Sequence, residues 1–289
     1  MCQLKSCLVL KDRVFCPDYN SHQSMLEELG IKDDYLHADK TFVRVEFTPP
    51  NNKSLIEPLD RWTLKVDQDI VPEWWDEKTD RQRVEEAVEE WRRKHVFTES
   101  KHIVRTGTVY AYGDAEVQVY NDATVAAYDR ATVEAYSNAK VYAFGKTTVK
   151  TVSNAPVEAY DDTTVRAYGG AKVEAFDCAV VKAYSNAKVE AHDSVTVEAY
   201  NSVTVEACDS ATVEAYDSAT VEAFGSAVVE TWGSATVTAH DSAKATAFGR
   251  ATVTAYDNVM VTAYDNVMVI YPKERKIIYP AGWTAETHE

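Results

Sequence analysis

The chain has 289 residues, 45% of them apolar, and its 30 Lys and Arg are outnumbered by 46 Asp and Glu, for a formal charge of −16. That length and apolar content support one or two folded domains, while the negative charge argues against direct binding of nucleic acid or an anionic membrane, which needs an excess of Lys and Arg. No apolar run reaches the roughly 18 residues that span a bilayer, the start lacks a secretory pattern, and five Cys without metal-type spacing make neither a disulfide framework nor a zinc site, so the expectation is a cytoplasmic protein with no metal and no cofactor.

Residues 1–105 carry no repeat and read as a small α+β domain. Ser6–Leu10 and Arg13–Phe15 flank Lys11-Asp12 as a hairpin, and Phe42–Phe47 and Trp62–Val66 read as two more strands. Ser21 is placed to cap a helix over His22–Leu29 with Gly30 as its stop. A second helix is expected from Asp80 to Lys94, acidic at its start and basic at its end as the macrodipole favours. The domain's expected role is to cap the first coil of a solenoid spelled by the residues after 105, since an open solenoid end presents unpaired strands.

Cys2 follows the initiator Met, so processing would leave an N-terminal thiol and amine. This is similar to the nucleophile of class II glutamine amidotransferases, and it makes Cys2, with His22 as a helper, the one catalytic candidate. Those enzymes usually continue with Gly-Ile, whereas Gln3-Leu4 follows here, so a structural Cys is the preferred reading and an enzyme the alternative. The start also resembles a group of uncharacterised bacterial and phage proteins that begin with Met-Cys. Asp67 and Asp69 flank Gln68 without the further oxygens that Ca²⁺ needs.

From about Thr106 to Tyr271 an eight-residue period runs without insertion, in its cleanest form Ala-Thr-Val-Glu-Ala-Tyr-Asp-Ser. The third position is Val in every turn but one, where Ala245 stands. The sixth is aromatic apart from Val152, His192, Cys208 and His240. Alternation of small apolar and polar residues over the first five positions is the signature of a strand with one buried face, and Asp-Ser, Gly-Ser or Asp-Asn at the last two supply a corner. Asp193, Asp209, Asp217, Asp241, Asp257 and Asp265 are read as corner caps rather than calcium ligands, because the octad lacks the glycines of a calcium-binding nonad. Ala and Val fill only a thin interior. The expectation is therefore a mainly β protein: a two-sided β-solenoid with 16-residue coils of two octads each, about ten coils at ~4.8 Å per rung, preceded by the α+β domain and followed by a closing tail, 272–289.

Units such as Phe224-Gly225-Ser226-Ala227 and Trp232-Gly233-Ser234-Ala235-Thr236-Val237-Thr238 resemble the octads of bacterial ice-nucleation proteins, which pair into sixteen-residue coils. The resemblance covers the repeat region only. Rows of Thr-x-Thr occur here just at Thr236/Thr238 and Thr252/Thr254, with Glu and Lys elsewhere, so little or no ice activity is expected.

Two octads per coil arrange the fourth positions in two rows, Glu158 to Glu222 on one face and Glu134, Lys150, Arg166, Lys182, Glu198, Glu214 and Glu230 on the other. Residues 1–105 hold 17 basic and 21 acidic side chains, net −4, and the remainder 13 and 25, net −12, so the negative field belongs to the rod. The functional expectation is a non-enzymatic interaction scaffold, an acidic β-solenoid rod presenting an N-terminal head that carries partner specificity. It would pair with protein partners, itself included, through an aromatic ladder of Tyr120, Tyr136, Tyr168, Tyr184, Tyr200, Tyr216, Trp232, Phe248 and Tyr264. In the ice-nucleation resemblance the tyrosine ladder is the dimer contact. A further alternative is an acidic mimic of nucleic acid offered to a DNA-binding partner.

Overall fold

The computed structural model describes residues 4–50 and 54–278, which separate into two compact units at Thr98 and Glu99. In the N-terminal unit β1 (Lys5–Leu10), β2 (Val14–Phe15), β3 (Phe42–Thr48) and β4 (Thr63–Val66) form an antiparallel sheet in the order β2-β1-β3-β4. Every residue of β1 is buried, because helices cover both of its faces. Leu8 and Leu10 point to α1 (His22–Glu28), where they join Met25, Leu26 and Phe42. The opposite face meets α3 (Glu77–His95), which buries Val84, Val88 and Trp91. A short helix, α2 (Tyr35–Ala38), precedes β3 and was not expected from the sequence.

The start of α3 differs from the sequence-based expectation. Asp76, not Asp80, caps the helix, its side chain accepting from Thr79 N at 2.8 Å, and Asp80 lies one turn inside, where its Oδ2 accepts from Asp76 N at 3.0 Å. Two carboxylates at a helix start compete for the capping position, and the earlier one satisfies the exposed amides while the later one closes the turn.

The repeat region is the two-sided solenoid with sixteen-residue coils. Each strand is four residues long and pairs in parallel with the strand sixteen residues later, Val133 on Val149 and Val149 on Val165, so alternate octads build two separate sheets. One sheet has eleven strands, from Lys101–Val104 to Met260–Ala263. Within the C-terminal unit the other runs from Thr108–Ala111 to Met268–Tyr271, where Lys276–Ile278 folds back antiparallel, Val269 opposite Ile278. The strand Lys101–Val104 lies before the first recognisable octad. It pairs with Glu116–Val119 at a separation of fifteen residues, so its coil is one residue short and does not spell the repeat.

Positions one, three and five of nearly every octad are fully buried. Two of the Thr residues that replace Ala on the inside bond to corner carbonyls, Thr163 donating to Tyr160 O at 2.7 Å and Thr151 to Ala155 O at 2.9 Å, whereas the buried Thr231 hydroxyl has no hydrogen-bond partner among the described residues. The corners turn at position seven, which takes a left-handed conformation in Asp209 (φ 56°), Asn201 (φ 63°) and Gly233 (φ 81°) alike. Asp, Asn and Gly tolerate that region best, which accounts for the composition of this position.

Candidate interaction surface

Positions two, four and six share one side of each strand and face outward, so each sheet presents an outer surface with two charged or polar columns bordered by a column of rings. On one surface the registers stack Glu158, Glu174, Glu190, Glu206 and Glu222 in an unbroken line. Carboxylates at strand spacing repel; Lys172 and Lys188, two residues earlier on the strands of Glu174 and Glu190, bring opposite charge to the same surface. The other surface stacks Glu134, Lys150, Arg166, Lys182, Glu198, Glu214 and Glu230. Here neighbours of opposite sign meet, Lys182 Nζ to Glu198 Oε1 at 2.7 Å and Lys150 Nζ to Glu134 Oε1 at 3.8 Å. The Lys182 ammonium, with Tyr200 adding a hydrogen bond, holds the Glu198 carboxyl below its ordinary range.

The sixth positions form two stacks of nearly parallel rings. Along the mixed-charge surface Tyr120 stacks on Tyr136 at 4.7 Å, Val152 interrupts, and seven rings then run from Tyr168 through Tyr184, Tyr200, Tyr216, Trp232 and Phe248 to Tyr264 at centroid spacings of 4.8–5.7 Å. Along the acidic surface the stack runs from Tyr112 to His192, breaks at Cys208 and resumes from Phe224 to Tyr256. His192 and His240, read from the sequence as exceptions to the aromatic column, are ring members in it. An imidazole is flat and wide enough to continue a stack, whereas Val and Cys are not.

The rings are less open than the alternation alone suggests. Most are half-buried, and only Tyr264, on the last rung of its sheet, exceeds half exposure, at 51%. Several hydroxyls reach back two residues to the carboxylate at position four: Tyr136 to Glu134 at 3.0 Å, Tyr200 to Glu198 at 2.9 Å and Tyr216 to Glu214 at 2.7 Å. Side chains two apart on a strand lie side by side, so a phenol at six and a carboxylate at four are natural partners. Both the hydrogen bond to Glu198 and burial push the Tyr200 phenol up to about 12.

The corner aspartates cap, though not within their own corner as the sequence suggested. Asp161 Oδ2 accepts from Gly145 N at 2.9 Å, Asp177 from Asp161 N at 3.1 Å and Asp241 from Gly225 N at 3.0 Å, each bond joining one coil to the coil before it. In the N-terminal unit, Cys2 lies outside the described residues. His22 is tied down within its own unit: its Nε2 meets Val45 O at 3.1 Å and its Nδ1 lies 3.3 Å from Asp67.

No known protein family, curated protein or solved structure matches this chain. The likeness to ice-nucleation octads thus rests on the repeat and its sixteen-residue coil. Thr236 and Thr238 stand in register with Thr252 and Thr254, and this Thr array ends there: Glu222 pairs with Thr238 on one side, Met268 and Ile270 follow on the other. Among the described residues, no helix is long and apolar enough to cross a membrane.

Proposed function

We propose that the protein is a non-enzymatic scaffold whose rod pairs with a second copy, antiparallel, through the mixed-charge surface and the ring column that borders it. One observation carries this reading: over six consecutive rungs, Lys150 to Glu230, the sign of the fourth position inverts between Lys182 and Glu198, while Glu134 beyond them falls opposite uncharged Thr246 in such a pair. Lys150, Arg166 and Lys182 precede Glu198, Glu214 and Glu230 in consecutive rungs. A two-fold axis parallel to the strands, midway between Lys182 and Glu198, sets Lys182 against Glu198 of the second copy, Arg166 against Glu214 and Lys150 against Glu230. A parallel pair would oppose like charges. The rest of the surface favours close approach, with uncharged Thr148, Thr164, Val180, Thr196, Thr212 and Val228 in the second column. Two acidic surfaces, by contrast, repel one another, which leaves the line from Glu158 to Glu222 free for a basic partner, a DNA-binding protein included. The N-terminal unit adds a recess of about 600 Å³ lined by Asp33, Arg44, Asp67, Gln68 and Ile70, a concave surface suited to partner selection.

Light scattering at tens of micromolar tests the pairing. The wild type is expected to be a dimer. Lys150→Glu/Arg166→Glu/Lys182→Glu and Glu198→Lys/Glu214→Lys/Glu230→Lys should each be monomeric alone and form a heterodimer when mixed. Replacing Tyr168, Tyr184, Tyr200 and Tyr216 by Ser should likewise give a folded monomer. A wild type that is already monomeric, or two charge variants that fail to recognise each other, refutes it.

A further inference from the structure

The N-terminal unit holds a pair of thiols that the rod does not use. β1 and β2 are joined through Lys11-Asp12, with Leu10 N donating to Arg13 O at 2.8 Å. Residue pairs along an antiparallel ribbon alternate between hydrogen-bonded and non-hydrogen-bonded sites. Leu10–Arg13 is of the first kind, Val9–Val14 of the second and Leu8–Phe15 of the first, which puts Cys7 opposite Cys16 at a non-hydrogen-bonded site. There the Cα atoms of an antiparallel pair approach to about 4.5 Å, inside the roughly 4.4–6.8 Å that a disulfide spans. The two thiols lie close enough to shift each other's ionisation.

Their surroundings separate their roles. Cys7 is fully buried, and burial, followed by the neighbouring Cys16 thiol, pushes its thiol far up, so it keeps its proton. Cys16 is partly open, at the edge of a pocket of about 140 Å³ lined also by Trp91, Lys94 and His95. The neighbouring Cys7 thiol holds the Cys16 thiol below its usual range, against burial, and the charge of Lys5 acts in the same direction. Lys5 itself is fully buried on the same face of β1. Its ammonium donates to Pro17 O, to Tyr19 O at 3.0 Å and to Asn20 Oδ1 at 3.0 Å, and lies 5.1 Å from the centre of the Trp91 ring. Burial pushes the Lys5 amine below its usual range, while its three oxygen acceptors favour the ammonium; that group beside two thiols, one open to a pocket and the other sealed behind it, favours thiolate chemistry at the outer sulfur.

We propose that Cys16 and Cys7 form a peroxide-reactive dithiol, with Cys16 as the attacking and Cys7 as the resolving residue. Cys16 Sγ attacks one oxygen of a peroxide and the O–O bond breaks, leaving a sulfenic acid on Cys16 and releasing water, or the alcohol of an organic peroxide. Cys7 Sγ then attacks the Cys16 sulfur; the S–S bond forms, the S–O bond breaks, and the Cys7 proton leaves with the hydroxide as water. The two thiols lose two electrons in all, and the peroxide gains them.

The test treats the reduced full-length chain with hydrogen peroxide, quenches it with an alkylating agent and maps the peptides by mass spectrometry. The expected product is one cross-linked peptide pair joining Cys7 to Cys16, two hydrogens lighter than the reduced pair and restored by a dithiol reductant. It should form at least about tenfold faster than exposed Cys178 is oxidised. Cys16→Ser should abolish the fast reaction, and Cys7→Ala, checked by circular dichroism for folding, should leave a Cys16 sulfenic acid that dimedone traps. Because the wild-type map is decisive by itself, a variant that fails to fold does not rescue the idea. Oxidation of Cys16 no faster than that of Cys178, a cross-link from Cys16 to Cys2, or a Cys16 sulfinic acid beside an unmodified Cys7 overturns it.

Discussion

The two units reach a buried interior by opposite means. The N-terminal unit packs large, dissimilar side chains, Trp62, Phe42, Phe47, Leu8 and Met25, each in a site found once in the molecule. The solenoid packs Ala and Val in identical columns, so thinly that its two sheets leave no place for a larger residue. In the first unit specificity comes from shape; in the second it comes from repetition, since each coil contacts only its neighbours and one solution is used again at every rung.

Phe47→Ala should probe the difference most strongly. It removes a fully buried ring that touches Trp62 and lies under the Arg81 guanidinium, at a cost of about 3–5 kcal/mol. The N-terminal unit should then melt well below the rod in calorimetry, while the rod's far-ultraviolet β signal persists to its own transition. A single shared transition would mean that the two units do not fold independently. Ala199→Leu makes the complementary change, overfilling the thin interior at a cost of about 1–3 kcal/mol. It should lower only the rod's transition; an unchanged rod would show that the sheets can part at little cost.

A smaller effect concerns alkaline pH. Tyr160 is pushed up to about 12, by burial first and then by its hydrogen bond to Glu158, and Tyr200 to about 12 by its bond to Glu198 and by burial. A phenol raised in the folded state stabilises fully below the unfolded value near 10 and loses that contribution as pH climbs toward 12. The rod's melting temperature should fall over that interval, and absorbance at alkaline pH should show these phenols ionising late. Ladder tyrosines that all titrate near 10 would break the link between ring and carboxylate.

How legible each unit was in the sequence follows from the same contrast. The coil, the two faces and the charge rows could be read because every octad repeats one environment, so departures such as Ala245 hardly blur the pattern. The strand Lys101–Val104 could not, since a coil one residue short breaks the frame in which octads are recognised. In the N-terminal unit each position occurs once, and a helix start set at Asp80 instead of after Asp76 had nothing to average against. The hairpin itself was visible at Lys11-Asp12, and its register already set Cys7 across from Cys16. The number of cysteines and their spacing along the chain do not reveal that pair; only their place across the ribbon does. The bonds from ring to carboxylate were equally implicit in the two-residue strand repeat.

Because a coil closes only after sixteen residues, the unit in which this chain can change length is fixed at the level of its gene. Gain or loss of sixteen codons by slippage between repeats adds or removes one rung and returns every downstream residue to its own surface. Gain or loss of eight codons preserves the octad perfectly to the eye, yet exchanges the two surfaces beyond the break and splices the acidic line onto the mixed one. Inheritance of this rod in whole coils should therefore be conservative, and inheritance in half coils an exchange of its two surfaces.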